Sequence, residues 1–141
     1  MKRLVLLVTL VAAIAPSAVP ASTPASDSVT GLPLYPNAGQ PDNTLDVPIC
    51  GHKGRVNTYD LLPGKDAAAV AWFSAHLHGF THTRGIAIGH TQDQFIKTDG
   101  SLMATVTGNR DGSLYGVSYM RVTPPLNPAQ QAALGKRMTS C

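Results

Sequence analysis

Five histidines carry most of the latent chemistry of this chain, and three of them lie close together: His76, His78 and His82. Imidazole binds zinc and copper and moves protons near neutral pH. Spacing limits what these three can do. Residues two apart on a helix point about 200° away from each other, so His76 and His78 cannot hold one ion from a shared helix face. His78 and His82 are four apart, but Gly79 is a helix stop between them. A metal site would need His82 or His90 to return from the next strand. The plainer reading makes His76 and His78 solvated partners of the negative end of a helix.

Hydrolytic chemistry has less to stand on. The chain has no Glu, which removes Glu-based mechanisms, and no G-x-S-x-G elbow. Ser74, His76 and Asp60 are present, but their spacing does not demand a triad. Asp42, Asp66, Asp99 and Asp111 sit where turns and a helix start use Asp. The basic loop Cys50-Gly51-His52-Lys53-Gly54-Arg55 lacks the form of a phosphate-binding loop. Trp72, Tyr115 and Tyr119 are the aromatic candidates for a binding face. With 3 Phe, 1 Trp and 4 Tyr in the chain, most aromatics are needed for the core.

The two cysteines point to a compartment. Residues 1–21 have the form of a signal peptide: Lys2 and Arg3 lead, an apolar run follows over 4–14, and Val19-Pro20-Ala21 offers a cleavage signal. The apolar run is shorter than the roughly 20 residues a bilayer span needs, and no later segment is longer. Export places Cys50 and Cys141 where disulfides persist, and no third cysteine competes. Removing Lys2 and Arg3 lowers the formal charge from +3 to +1. No clustered basic footprint for nucleic acid remains.

The elements follow from pattern. Residues 22–30 are small and polar and read as a flexible tail. Residues 31–48 are rich in proline and glycine, with one short edge strand around 32–35. Residues 55–62 read as a strand. Residues 66–78 are the clearest helix, alanine-rich, with Val70, Phe73 and Leu77 on its core face and Trp72 and His76 on an adjacent stripe. Strands follow over 80–88, 92–98, 101–107 and 114–122, with turn signals at Asp99-Gly100 and at residues 109–112. Asn127-Pro128 opens a short terminal helix over 127–136.

Gly31-Leu32-Pro33-Leu34-Tyr35-Pro36-Asn37-Ala38 is similar to the L-P-x-Y-P-x-A opening of a group of small exported bacterial proteins. The run V-A-W-F-S-A-H-L-H-G-F over residues 70–80 resembles that group's V-x-x-[WF]-x-x-x-L-x-G-[WF] helix. The stretch between the motifs, which holds Cys50, is longer here. The shared motifs are structural, so the resemblance implies a fold and a compartment and not a reaction.

Together these readings predict an α+β domain over 31–141. One main helix packs on an antiparallel sheet of about four strands, with a short C-terminal helix and one Cys50–Cys141 disulfide. The function expected is a non-catalytic binding or accessory module of the cell envelope, periplasmic or secreted and without a cofactor. Its partner would be an envelope protein or a small ligand. A periplasmic metal-binding protein using His76, His78, His82 and His90 is the alternative, and a small hydrolase the second alternative.

Overall fold

The computed structural model describes residues 16–18, 23, 25–36, 38–109, 116–138 and 140–141. The expected leader lies outside the described residues apart from 16–18, as do Tyr115 and the turn over 110–112. Six strands and two short helices follow in the order β1 (Asn43–Ile49), β2 (His52–Asp60), α1 (Asp66–His76), β3 (Phe80–Ala87), β4 (His90–Lys97), β5 (Leu102–Asn109), β6 (Gly116–Thr123) and α2 (Pro128–Arg137). The strands form one sheet in the order β1-β2-β6-β5-β4-β3, and every pair is antiparallel.

This corrects the expectation of a main helix on a sheet of about four strands. The sheet dominates, and neither helix exceeds 11 residues. The strand hidden from pattern reading is β1, whose sequence NTLDVPI carries Asp and Pro. Neither residue favours a central strand, but both are tolerated at an edge. Tertiary pairing therefore overrides propensity here. Ile49 pairs with His52 across a two-residue turn in which Cys50 and Gly51 both have positive φ, 51° and 77°. That is the turn whose twist matches a hairpin, written in Cys-Gly instead of the usual Asn-Gly. Asp99-Gly100 behaves differently from its hairpin signal. Gly100 sits in a wider loop between Lys97 and Leu102, at φ 74°, where a Cβ would lie 2.0 Å from the Leu126 carbonyl oxygen.

Both sheet faces carry apolar clusters, because side chains alternate along each strand. Phe95, Ala104, Val106, Val117, Tyr119 and Tyr59 face α1 and gather around Phe73, Ala69 and Leu77. Ile96, Met103 and Val122 face the other way, toward Leu126 and Leu134 of the α2 region. One helix could cover only one face, so the second needs its own cover. Asn127 caps α2 through a complete capping box with Gln130. Helix α1 ends two residues earlier than expected, because Leu77 leaves the helix in an extended conformation and its side chain is buried.

Cys50 and Cys141 are bonded, with Cα atoms 5.2 Å apart and 91 residues between them. The bond fastens the end of the chain to the β1–β2 turn. Replacing both cysteines with serine should lower unfolding free energy by about 2–5 kcal/mol, read by urea denaturation of both proteins under non-reducing conditions.

Candidate functional site

The site begins with a carboxylate. Asp27 is 1% exposed, and both its oxygens are occupied. One oxygen accepts from the Val29 and Thr30 amides at 3.1 and 2.8 Å and from the Thr30 hydroxyl at 2.7 Å. The other accepts from the Asn57 side-chain amide at 2.7 Å and the Tyr59 hydroxyl at 2.8 Å. The first set folds residues 27–30 into a turn, as Asp side chains do by capturing backbone amides just downstream. The second set bolts that turn to β2. Arg121 of β6 adds bonds to the Val29 and Thr30 carbonyls at 2.9 and 3.2 Å. Residues 25–30, part of the segment expected to be a flexible tail, are thus packed on the α1 face of the sheet.

The turn sends the chain back along itself. The Leu34 amide donates to the Ala25 carbonyl at 2.8 Å, and the Asp27 amide to the Leu32 carbonyl at 2.9 Å. Tyr119, fully buried, then holds the returning strand. Its hydroxyl accepts from the Tyr35 amide at 2.8 Å and donates to the Pro33 carbonyl at 3.2 Å. Burial raises the Tyr119 phenol well above its usual range. Burial, then the hydrogen bond to Asp27, pushes the Tyr59 phenol up to about 12.

Between this segment and α1 lies a cleft of about 500 Å³. Its walls include Pro33, Leu34, Tyr35 and Ala38 on one side and Trp72 and His76 on the other. Tyr35 meets Trp72 edge-on at 5.6 Å and 84°. His76 stacks on Trp72 at 4.2 Å and 16°. The four-residue spacing noted in the sequence makes that stack possible. The His76 Nδ1–H donates to the Trp72 carbonyl at 2.7 Å. That bond assigns the tautomer and leaves Nε2 as the one polar atom of the ring free to face a ligand. One face of Trp72 is taken by His76, so the arrangement offers an apolar group the Trp72–Tyr35 wall of the cleft and one hydrogen bond at its rim.

The structure separates the remaining sequence candidates. Trp72 lines the cleft, whereas Tyr119 lies in the core and acts through the wall it holds. His82 sits on β3, stacked on Phe95 at 4.5 Å, with Nε2 at 2.7 Å from Asp93. Asp93, 3% exposed, also receives Arg84 through two bonds of 2.9 and 3.0 Å. The guanidinium's pKa is raised by that carboxylate. His90 begins β4 and, by strand alternation, points to the opposite face from Asp93 and Phe95. His52 is engaged at the disulfide end, with Nδ1 at 2.6 Å from the Pro124 carbonyl and Nε2 at 3.0 Å from Gln130. Among the described residues no three His, Cys, Asp or Glu side chains gather as a metal site would require. Cys50 and Cys141 are occupied by each other.

Sequence reading missed Asp27 and Asp93. For Asp27 a signal was present: Asp followed by Thr30-Gly31 is turn chemistry, and Gly31 takes φ 73°. For Asp93 the signal is pairwise, since Arg84 and Asp93 become neighbours only through the β3–β4 register.

Asp27→Ala should orphan the buried Tyr59 hydroxyl, leave the Asn57 amide only its bond to Ser28, and cost about 2–5 kcal/mol. Trp72 is the sole tryptophan, so the same variant should shift the emission maximum to the red as the Tyr35 wall loosens. Tyr59→Phe should cost about 1–3 kcal/mol. Because the folded phenol titrates near 12 and a free phenol near 10, its stabilisation is complete below pH of about 10 and fades as pH rises through about 12. Denaturation curves across that range should show a smaller alkaline loss in Tyr59→Phe than in the parent.

No family model, curated protein or solved structure matches this chain, so no activity or partner is carried over from a relative.

Proposed function

We propose that this chain is an exported, non-catalytic binding module that acts in the periplasm or outside the cell. Its ligand is an apolar or aromatic group, presented by a small molecule or an envelope component. The observation that carries this reading is the aromatic cleft between residues 33–36 with Ala38 and α1. Its volume of about 500 Å³ falls in the range of small-ligand sites, and its walls are mostly apolar with His76 at the rim. Export is supported by the signal-peptide pattern and by the Cys50–Cys141 disulfide. No helix among the described residues is long and apolar enough to cross a membrane.

A solvatochromic apolar probe such as N-phenyl-1-naphthylamine tests the reading. The probe should brighten on binding and quench Trp72 by energy transfer. Trp72→Ala, followed by the probe's own emission, should weaken binding about tenfold or more, the equivalent of about 1.4 kcal/mol. Tyr35→Ala should do the same, while Leu62→Ala, far more exposed and outside the cleft, should leave binding unchanged. Probe binding indifferent to Trp72 and Tyr35, or turnover in a broad hydrolase screen, would overturn the proposal.

A further inference from the structure

The two edges of the sheet are finished differently. Edge β1 carries Pro48 and Asp46, and Asp46 pairs with Lys53 and Arg55 at 3.3 and 3.5 Å. Proline and surface charge are the usual means of stopping a strand from adding to an edge. Edge β3 has neither proline nor lysine over its 8 residues, and its permanent charge, Arg84, is drawn back onto Asp93. Ile86, 56% exposed, is its next-to-last residue, and a hairpin turn holding Ile88, 89% exposed, follows. Ile88 takes φ 53°, a costly conformation for a β-branched residue.

Among the described residues no strand pairs with this edge beyond β4, and its outward hydrogen-bonding groups can be assigned. The Thr98 amide donates to the Gly79 carbonyl at 3.0 Å, just outside the Phe80–Lys97 pair. Hydrogen-bonded and non-bonded pairs alternate along an antiparallel ladder. Thr81, Thr83, Gly85 and Ala87 therefore spend their peptide groups on β4. The N–H and C=O groups of Phe80, His82, Arg84 and Ile86 point away from it.

We propose that β3 pairs antiparallel with β3 of a second copy about a two-fold axis at Thr83, joining two six-stranded sheets into one. A two-fold normal to the sheet keeps each face continuous, so partners must share parity. Centring on Thr83 sets Phe80 opposite Ile86 of the other copy and His82 opposite Arg84, in both directions. All outward peptide groups are then used, in roughly eight backbone hydrogen bonds. The half-buried Phe80 at one end of the strand covers the exposed Ile86 at the other, which makes the edge self-complementary, as an isologous dimer requires. On the opposite face the residue over Thr83 is Gly135, which has no side chain to project across the edge.

Sedimentation velocity over a concentration series tests this, with the exported protein and three single variants. The parent should dimerise. Ile86→Lys should weaken the dimer about tenfold or more by placing a charge opposite Phe80. Leu45→Lys on β1 and Ile88→Lys in the turn should leave it unchanged. Amide exchange followed by NMR should show Phe80, His82, Arg84 and Ile86 protected in the dimer and fast in the Ile86→Lys protein. A parent that stays monomeric overturns the proposal and leaves the edge to a strand of another protein. A dimer that ignores Ile86→Lys, or in which those four amides exchange fast, overturns it as well.

Discussion

A buried carboxylate organises the α1 side of this protein. Asp27 lies at 1% exposure with no ion pair to a cation among the described residues, held by three neutral side chains and two amides. A charge removed from water is costly unless its lone pairs are filled, and these are filled from two directions. Val29 and Thr30 supply local bonds, and Asn57 and Tyr59 supply bonds from β2. The carboxylate is therefore satisfied only when the turn is formed and docked at once. That requirement ties a short, proline-rich segment to the sheet beside the apolar contacts of Leu32, Leu34, Tyr35 and Ala38. Tyr35 is consequently held over Trp72, and the cleft exists.

What the sequence made legible was mostly local. Residues 66–78 read as a helix, which spans 66–76, because alanines and an N-terminal Asp act within a turn or two, and Asn127-Pro128 announced α2 in the same way. The cysteine pairing was also readable, since compartment and number leave one option. The fold class was not readable, because β1 is a strand by pairing and not by propensity. Its residues alternate weakly, its Pro48 argues against a strand, and its turn uses Cys50 where Asn is usual. The second apolar face was hidden for a related reason. Ile96, Met103, Val122 and Leu134 are far apart in sequence and are drawn together only by the strand order β6-β5-β4 and the return of α2.

The candidate site divides in the same manner. Trp72 and His76 were visible as neighbours on a helix, since four-residue spacing fixes their relation. Tyr119 was a candidate for a binding face beside the plainer reading of a core residue, and it is enclosed, because its ring fills the space between Phe73 and Tyr59 at 5.6 Å from each. Its hydroxyl still reaches the Tyr35 amide and the Pro33 carbonyl. A tyrosine can do both because its body is apolar and its tip is not. The histidine cluster dissolved because a helix end and a strand register intervene between His76, His82 and His90. Closeness in sequence is a poor guide to closeness in space once a chain leaves a helix.

Core and cleft are one aromatic network. Phe73 touches Tyr35, Phe95 and Tyr119, and Trp72 touches Phe73 and Tyr35, with centroids between 5.2 and 6.3 Å. The ring that would face a ligand is thus one contact from rings that hold helix to sheet. A group bound on Trp72 presses on Tyr35, whose amide is tied to Tyr119 and whose segment is tied to Asp27. Any ligand that needs the docked segment must stabilise the docked state by mass action, with the logarithm of its concentration relative to its dissociation constant. Binding and segment order are then the same equilibrium seen from two ends. A cleft walled by a segment docked on the sheet couples to stability in this way, whereas one carved between strands of the ladder would not.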